Sequence, residues 1–134
     1  MRDGVFEKTR RMVALEFRGL FEYDYSKFQN RLARYTRLKV VNNFILMVGD
    51  KVYRSISERP IVGFRQAGPL WTGPPTVNQE RWQFWLARYH ELLPLIEEDK
   101  GLDIVDTVIK EECHRAFHHM EEIAENGVAA ALQI

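Results

Sequence analysis

Residues 27–57 read KFQNRLARYTRLKVVNNFILMVGDKVYRSIS, and this stretch decides the fold. Apolar side chains recur in steps of three and four at Phe28, Leu32, Tyr35, Leu38, Val41, Ile45, Val48, Val52 and Ile56. That is the period of one face of an α-helix, not the alternation of a strand. From Lys27 to Ser57 such a helix would run about 46 Å at 1.5 Å per residue, long for a small domain. A bend or break is therefore expected at Asn42-Asn43 or Gly49-Asp50, the weakest helix formers in the run. Ser26 with Gln29 three residues later reads as a capping box at its start. From Phe44 to Val48 the chain is apolar on every side, which predicts a place at the centre of the core.

Upstream, Phe6, Val13, Phe17, Leu20 and Phe21, with Met12 beside them, mark an amphipathic helix over Val5–Phe21, and Glu22–Ser26 reads as a connection. Downstream, residues 58–77 hold four of the five prolines and three of the eight glycines, so neither helix nor central strand is expected there. Ile61, Val62, Phe64, Leu70 and Trp71 make that segment too apolar for a free linker, and it reads as a packed loop. Asn78 then caps a helix with Glu80 in its first turn and Trp82, Trp85, Leu86, Tyr89, Leu92 and Leu93 on its buried face, widened by Phe84. Pro94 should stop or kink it, and Gly101 should end any continuation. A last helix is expected from about Leu102 to Glu125, capped by Asp103 and closed by Asn126-Gly127. Its stripe is Val105, Val108, Ile109, Cys113, Ala116, Phe117, Met120 and Ile123, and the apolar tail Val128–Ile134 is expected to dock. There are no repeats and no convincing strands. The prediction is an all-α fold, a single helical domain over residues 1–134, with four or five helices and one long packed Pro/Gly-rich loop.

Composition removes several classes. Apolar residues are 46% of the 134, which excludes a disordered chain. The longest aliphatic run, Ile45–Val48, is far short of the roughly twenty residues that span a bilayer. The charged start, Met1 to Lys8, lacks the apolar core of a secretory signal, and one cysteine suits a reducing compartment. An intracellular protein, cytoplasmic or nuclear, with no membrane partner is expected. Nineteen basic and nineteen acidic residues cancel, yet residues 1–60 carry 13 against 7 and residues 61–134 carry 6 against 12. Fields of +6 and −6 can meet within one fold or between two copies, or the basic half can face an acidic partner.

The segment Gly68-Pro69-Leu70-Trp71-Thr72-Gly73, followed by Glu80-Arg81-Trp82-Gln83-Phe84-Trp85 and Arg88, resembles a fungal family known as domain of unknown function 3632. The family motif is a Gly-x-Leu-Trp/Tyr-x-Gly turn leading into a Glu-Arg-Trp-x-Phe-Trp helix, with an apolar helix ending in glycine upstream, here Val41–Gly49. The similarity spans about residues 12–124, with its specific part at 68–88. It implies an all-helical fold and a fungal source, and it implies no activity. Members are often longer at the N-terminus, which allows this chain to be a short or partial one.

Four constellations bear on chemistry. Trp71, Arg81, Trp82, Trp85, Arg88 and Tyr89 could line a pocket for a small hydrophobic ligand or form a partner patch, while aromatic stripes at helical spacing are ordinarily core. Glu111, His114 and His118 share one helix face, but a di-iron or zinc site needs further ligands that the spacing does not supply. Cys113 falls on an apolar stripe, where a thiol behaves as a small hydrophobe. Lys27, Arg31 and Arg34, with Arg37 and Lys39 beyond, form a basic face that could meet phosphates, unaccompanied by any nucleic-acid-binding signature. No catalytic residue and no cofactor is indicated. The leading expectation is a non-catalytic protein-interaction domain, binding another protein or itself. The alternatives are a small-molecule-binding or accessory protein of a fungal secondary-metabolite pathway, and nucleic-acid binding through the basic face.

Overall fold

The computed structural model describes residues 4–132, with side chains from Phe6 to Gly127. Five α-helices are arranged in the order α1 (Gly4–Phe21), α2 (Arg31–Glu58), α3 (Gln79–Glu98), α4 (Lys100–Val105) and α5 (Ile109–Leu132). Two short strands, β1 (Ile61–Val62) and β2 (Thr76–Val77), pair antiparallel between α2 and α3, with Ile61 opposite Val77 and Val62 opposite Thr76. The all-α bundle is as expected; the small hairpin inside the loop is not. Its backbone leaves β1 through Gly63 at φ +69, a left-handed conformation that glycine alone adopts without strain.

α2 is the central element, packed along α5 and α1, with α3 laid on α5 and α1. Of the bend or break expected in α2, a break does not occur: the helix runs 28 residues uninterrupted. Asn42 and Gly49 are kept there by packing. The Asn42 amide is fully buried and bonded to α3 and α5, and Gly49 lies under Ile123, whose Cδ1 would sit 2.9 Å from an added Cβ. The cap is also corrected. Ser26 belongs to a 3-10 turn, Tyr25–Lys27, where Asp24 holds both its N–H and its hydroxyl. α2 starts instead from Asn30, whose Oδ1 accepts from Leu32 N at 2.8 Å and Ala33 N at 3.3 Å. Phe44–Val48 is not covered all round either. Ile45 is buried, but Met47 is 80% exposed and Leu46 is also in solvent, as is Leu32 near the helix start.

α3 is capped by Asn78 as expected, accepting from Arg81 N at 3.0 Å. It does not stop at Pro94 but continues to Glu98. Pro94 and His90 are exposed, so the His90 carbonyl it cannot bond lies on the solvent side, open to water rather than orphaned in the core. The predicted single last helix is divided. Asp99, rather than Gly101, ends α3, and its carboxylate caps α4 through Gly101 N; Asp106 ends α4 and accepts from Val108 N at 2.9 Å just before α5. Asp103 is no cap but pairs with Lys110. α5 passes through Asn126-Gly127 without ending, and Gly127 stands there by close packing rather than as a stop, since an added Cβ would lie 2.5 Å from the Tyr53 ring. Val108 is exposed, unlike the rest of its predicted stripe, and the side chains of the tail Val128–Ile134 lie outside the described residues.

The basic first half and acidic second half meet inside the chain. Arg34 pairs with Asp99 and Lys39 with Glu112. At the opposite end, Arg10 is buried and ties α1 to the end of α2 through the Ser55 hydroxyl and the Arg59 carbonyl.

Candidate functional site

The residues between α1, the loop and α3 assemble around Glu22, which follows the last turn of α1 and is fully buried. Arg81 reaches it from α3 with a two-pronged contact, Nε to Oε2 and Nη2 to Oε1, both 2.7 Å. Trp85 Nε1 donates to the same carboxylate at 2.7 Å, and the Gly68 N–H donates at 3.0 Å. The guanidinium also donates to the carbonyls of Gln66 and Thr76, and it lies over the rings of Trp71, Phe64 and Trp85. A charged pair out of water needs such a complete set of partners to offset its desolvation. The Glu22 carbonyl accepts from Leu70 N, which fastens the loop a second time.

The six residues of the aromatic cluster are therefore brought together, but inward. Arg81, Trp82, Trp85 and Tyr89 are buried, and Trp71 and Arg88 are half-buried. Trp82 and Trp85 meet Phe17 ring to ring, and Trp82 also meets Tyr53. Trp71 covers Arg81, contacts Phe84 and donates to the Pro74 carbonyl. Arg88 donates to the carbonyls of Phe21 and Tyr23, satisfying acceptors left open where α1 ends. Tyr89 donates to Asn42 Oδ1 at 2.5 Å, and burial, reinforced by Cys113, raises its phenol well above the ordinary value. Sequence reasoning missed Glu22. The available signal was Arg81, four residues before Trp85 on an apolar stripe, where an arginine needs a buried counter-charge.

The other predicted groups are separated. Lys27 and Arg31 are exposed, but Arg34 turns into the fold, held by Asp99 and the carbonyls of Phe28 and Gln29. Tyr25 shares that carboxylate at 2.8 Å, and burial with Asp99 alongside raises the Tyr25 phenol. Burial pushes Asp99 upward, but bonds from Arg34 and Tyr25 outweigh it and hold its carboxyl below the ordinary range. His114 faces Glu97, His118 faces Glu121, and Glu111 is exposed; among the described residues no three candidate ligands gather around a point that could hold a metal ion. Cys113 is buried beside Asn42, and burial raises its thiol pKa, which keeps it from forming a thiolate.

The larger open features lie along α2. An open groove of about 790 Å³ runs between α1 and α2, with Leu15, Leu32 and Val40 along it and Arg18, Arg37 and Glu16 beside them. A second, of about 860 Å³, lies between α2 and α4, lined by Arg31, Leu32, Ile104 and Val105 among others. Leu32 belongs to both and is 58% exposed; Ile104 is 69% exposed. Arg18, Arg31 and Arg37 have no carboxylate partner among the described residues.

No family model matches the chain, and no curated protein or solved structure is similar to it at a significant level. Among the described residues no helix is long and apolar enough to cross a membrane.

Proposed function

We propose that this chain is a non-catalytic protein-interaction domain that meets its partner through the outer surface of α1, α2 and α4. One observation carries the reading. Leu32 stands exposed at the shared edge of two grooves, with Ile104 on one side and three arginines free of carboxylate partners around them. Exposed aliphatic side chains next to arginines without a carboxylate partner are the composition of a recognition surface. Apart from the Trp82 indole N–H, which is buried without an acceptor among the described residues, the polar groups of the aromatic cluster are engaged with neighbouring residues of the fold, which directs attention away from it. Kinship with the fungal family and an intracellular setting belong to the same proposal.

The test is affinity capture from extracts of cells that produce the protein, comparing the native chain with a Leu32→Glu/Ile104→Glu variant of unchanged helicity. A specific protein retained by the native chain, lost with the variant and bound again when purified is the expected result. Identical retained sets, or retention that disappears on nuclease treatment, would overturn the reading, the latter in favour of nucleic acid.

A further inference from the structure

We infer that the groove between α1 and α2 receives an amphipathic helix carrying aliphatic residues on one face and carboxylates beside them; this rests on the interaction-domain reading and specifies its partner. α1 and α2 run antiparallel. The Lys51 ammonium lies 4.5 Å from the centroid of the Phe6 ring near one end, and the Arg37 guanidinium covers Gly19 near the other, where an added Cβ would come within 2.4 Å of its Nη1. A pair of antiparallel helices offers a seat for a third on each open side, and α3 and α5 occupy the inner one. The outer seat has an apolar floor in Leu15, Leu32 and Val40; Leu32 and Val40 stand about 12 Å apart along α2, a span that apolar side chains about two turns apart on an occupant helix can match.

Charge selects the occupant. Arg18 and Arg37 flank the floor against a single acid, Glu16. Both arginines are partly committed, Arg18 through Nη1 to the Tyr23 hydroxyl and Arg37 over the Phe28 ring at 5.1 Å, but neither has a carboxylate partner among the described residues. A carboxylate on the incoming helix fits this rim, and a lysine does not. Anionic lipid is the poorer match, because a flat headgroup layer does not reach a recessed floor.

The probe is a fluorescein-labelled peptide of about 15 residues, long enough for several helical turns, with leucines on one face and glutamates flanking them. It is titrated by anisotropy at about 50 mM and about 500 mM salt, which spans weak and strong screening. A twin peptide with lysine for glutamate, and phosphatidylserine-containing vesicles, are run in parallel. The expected result is binding of the acidic peptide alone, weakened by salt. Leu32→Glu and Arg37→Glu should each reduce its affinity about tenfold, with Leu95→Glu on α3 neutral and all three variants keeping native circular dichroism. Equal binding of both peptides, indifference to Leu32→Glu, or binding of vesicles in place of the peptide would overturn the inference. So would a doubled solution mass that excludes the peptide, since a second copy would then hold the groove. If the acidic peptide fails while affinity capture still yields a Leu32-dependent protein, the helix inference falls and the interaction-domain reading stands.

Discussion

Glu22 and Arg81 form a two-pronged ion pair with neither side chain exposed to solvent, and their other polar partners come from α3 and from three points of the loop. The pair joins the end of α1, the hairpin loop and the first turn of α3, so each of those segments is positioned by the other two. Removing one member leaves a buried charge without its counter-ion. Glu22→Gln and Arg81→Met should each cost about 3–5 kcal/mol in urea unfolding, whereas Glu22→Leu with Arg81→Met should cost clearly less than the sum. A single variant within about 0.5 kcal/mol of the native chain would show that the pair is not a structural linchpin.

Asp99 ties α3, α4, α2 and the Tyr25 turn to one carboxylate. Its pKa is lowered in the folded state, so its contribution is present above the unfolded value, about 3.9, and fades as pH falls through the lower folded value. Asp99→Asn should reduce stability at pH 7 by about 1–3 kcal/mol, the range for losing hydrogen bonds to a charged group. Its stability should then fall less than that of the native chain as pH drops from about 5 towards 2. Parallel acid profiles for the two proteins would mean that Asp99 titrates alike folded and unfolded.

The all-α fold and the main buried stripes were legible because period is a local property of the chain. Leu38, Val41, Ile45, Val52 and Ile56 are all buried as the spacing implied. What was not legible depended on partners distant in sequence. Asn42 and Gly49 look like helix breakers until Tyr89, Glu112 and Ile123 are placed against them. The helix boundaries at Ser26 and Asp103 were misassigned because several residues nearby could serve as caps. Asp24 holds Ser26, and Asp103 is drawn to Lys110. At the candidate site the aromatic residues were visible and their orientation was not, since Glu22 lies 59 residues from Arg81. The exposure of Leu32 was hidden for a related reason: it keeps the helical period but falls beyond the edge of what α1 and α4 cover.

Cys113 should be silent towards thiol reagents in the native protein. It is fully buried, receives the Asn42 amide at 3.4 Å, and burial raises its pKa. With Ellman's reagent at about pH 8, near the ordinary cysteine pKa, labelling should follow global unfolding and accelerate with denaturant. Asn42→Ala removes partners of both Tyr89 and Cys113 and should cost about 2–3 kcal/mol, with labelling accelerated by the matching factor of about 30–150. Rapid stoichiometric labelling of the native chain would contradict this packing.

Gly68 offers the sharpest separation of the loop from the bundle. A Cβ there would lie 2.4 Å from the Glu22 carbonyl oxygen and 2.6 Å from the Glu22 Cβ, both anchored at the end of α1. Backbone and a buried side chain cannot yield as the end of a flexible chain can, so the loop must lift to admit even a methyl group. Lifting it breaks the Gly68 N–H bond to Glu22 and strains the Leu70 bond beside it. Gly68→Ala should therefore destabilise by about 2–4 kcal/mol, in the range of overpacking combined with a lost charged hydrogen bond. Gly63→Asn makes the contrast. That glycine has positive φ but open space around a Cβ, and asparagine tolerates the left-handed region, so the cost should stay near 1 kcal/mol. Amide exchange resolved by residue would locate the effect: Gly68→Ala should expose Phe64–Thr76 while leaving the middle of α2 protected. Equal losses for the two substitutions would mean that the loop's seat on Glu22 contributes nothing to holding it in place.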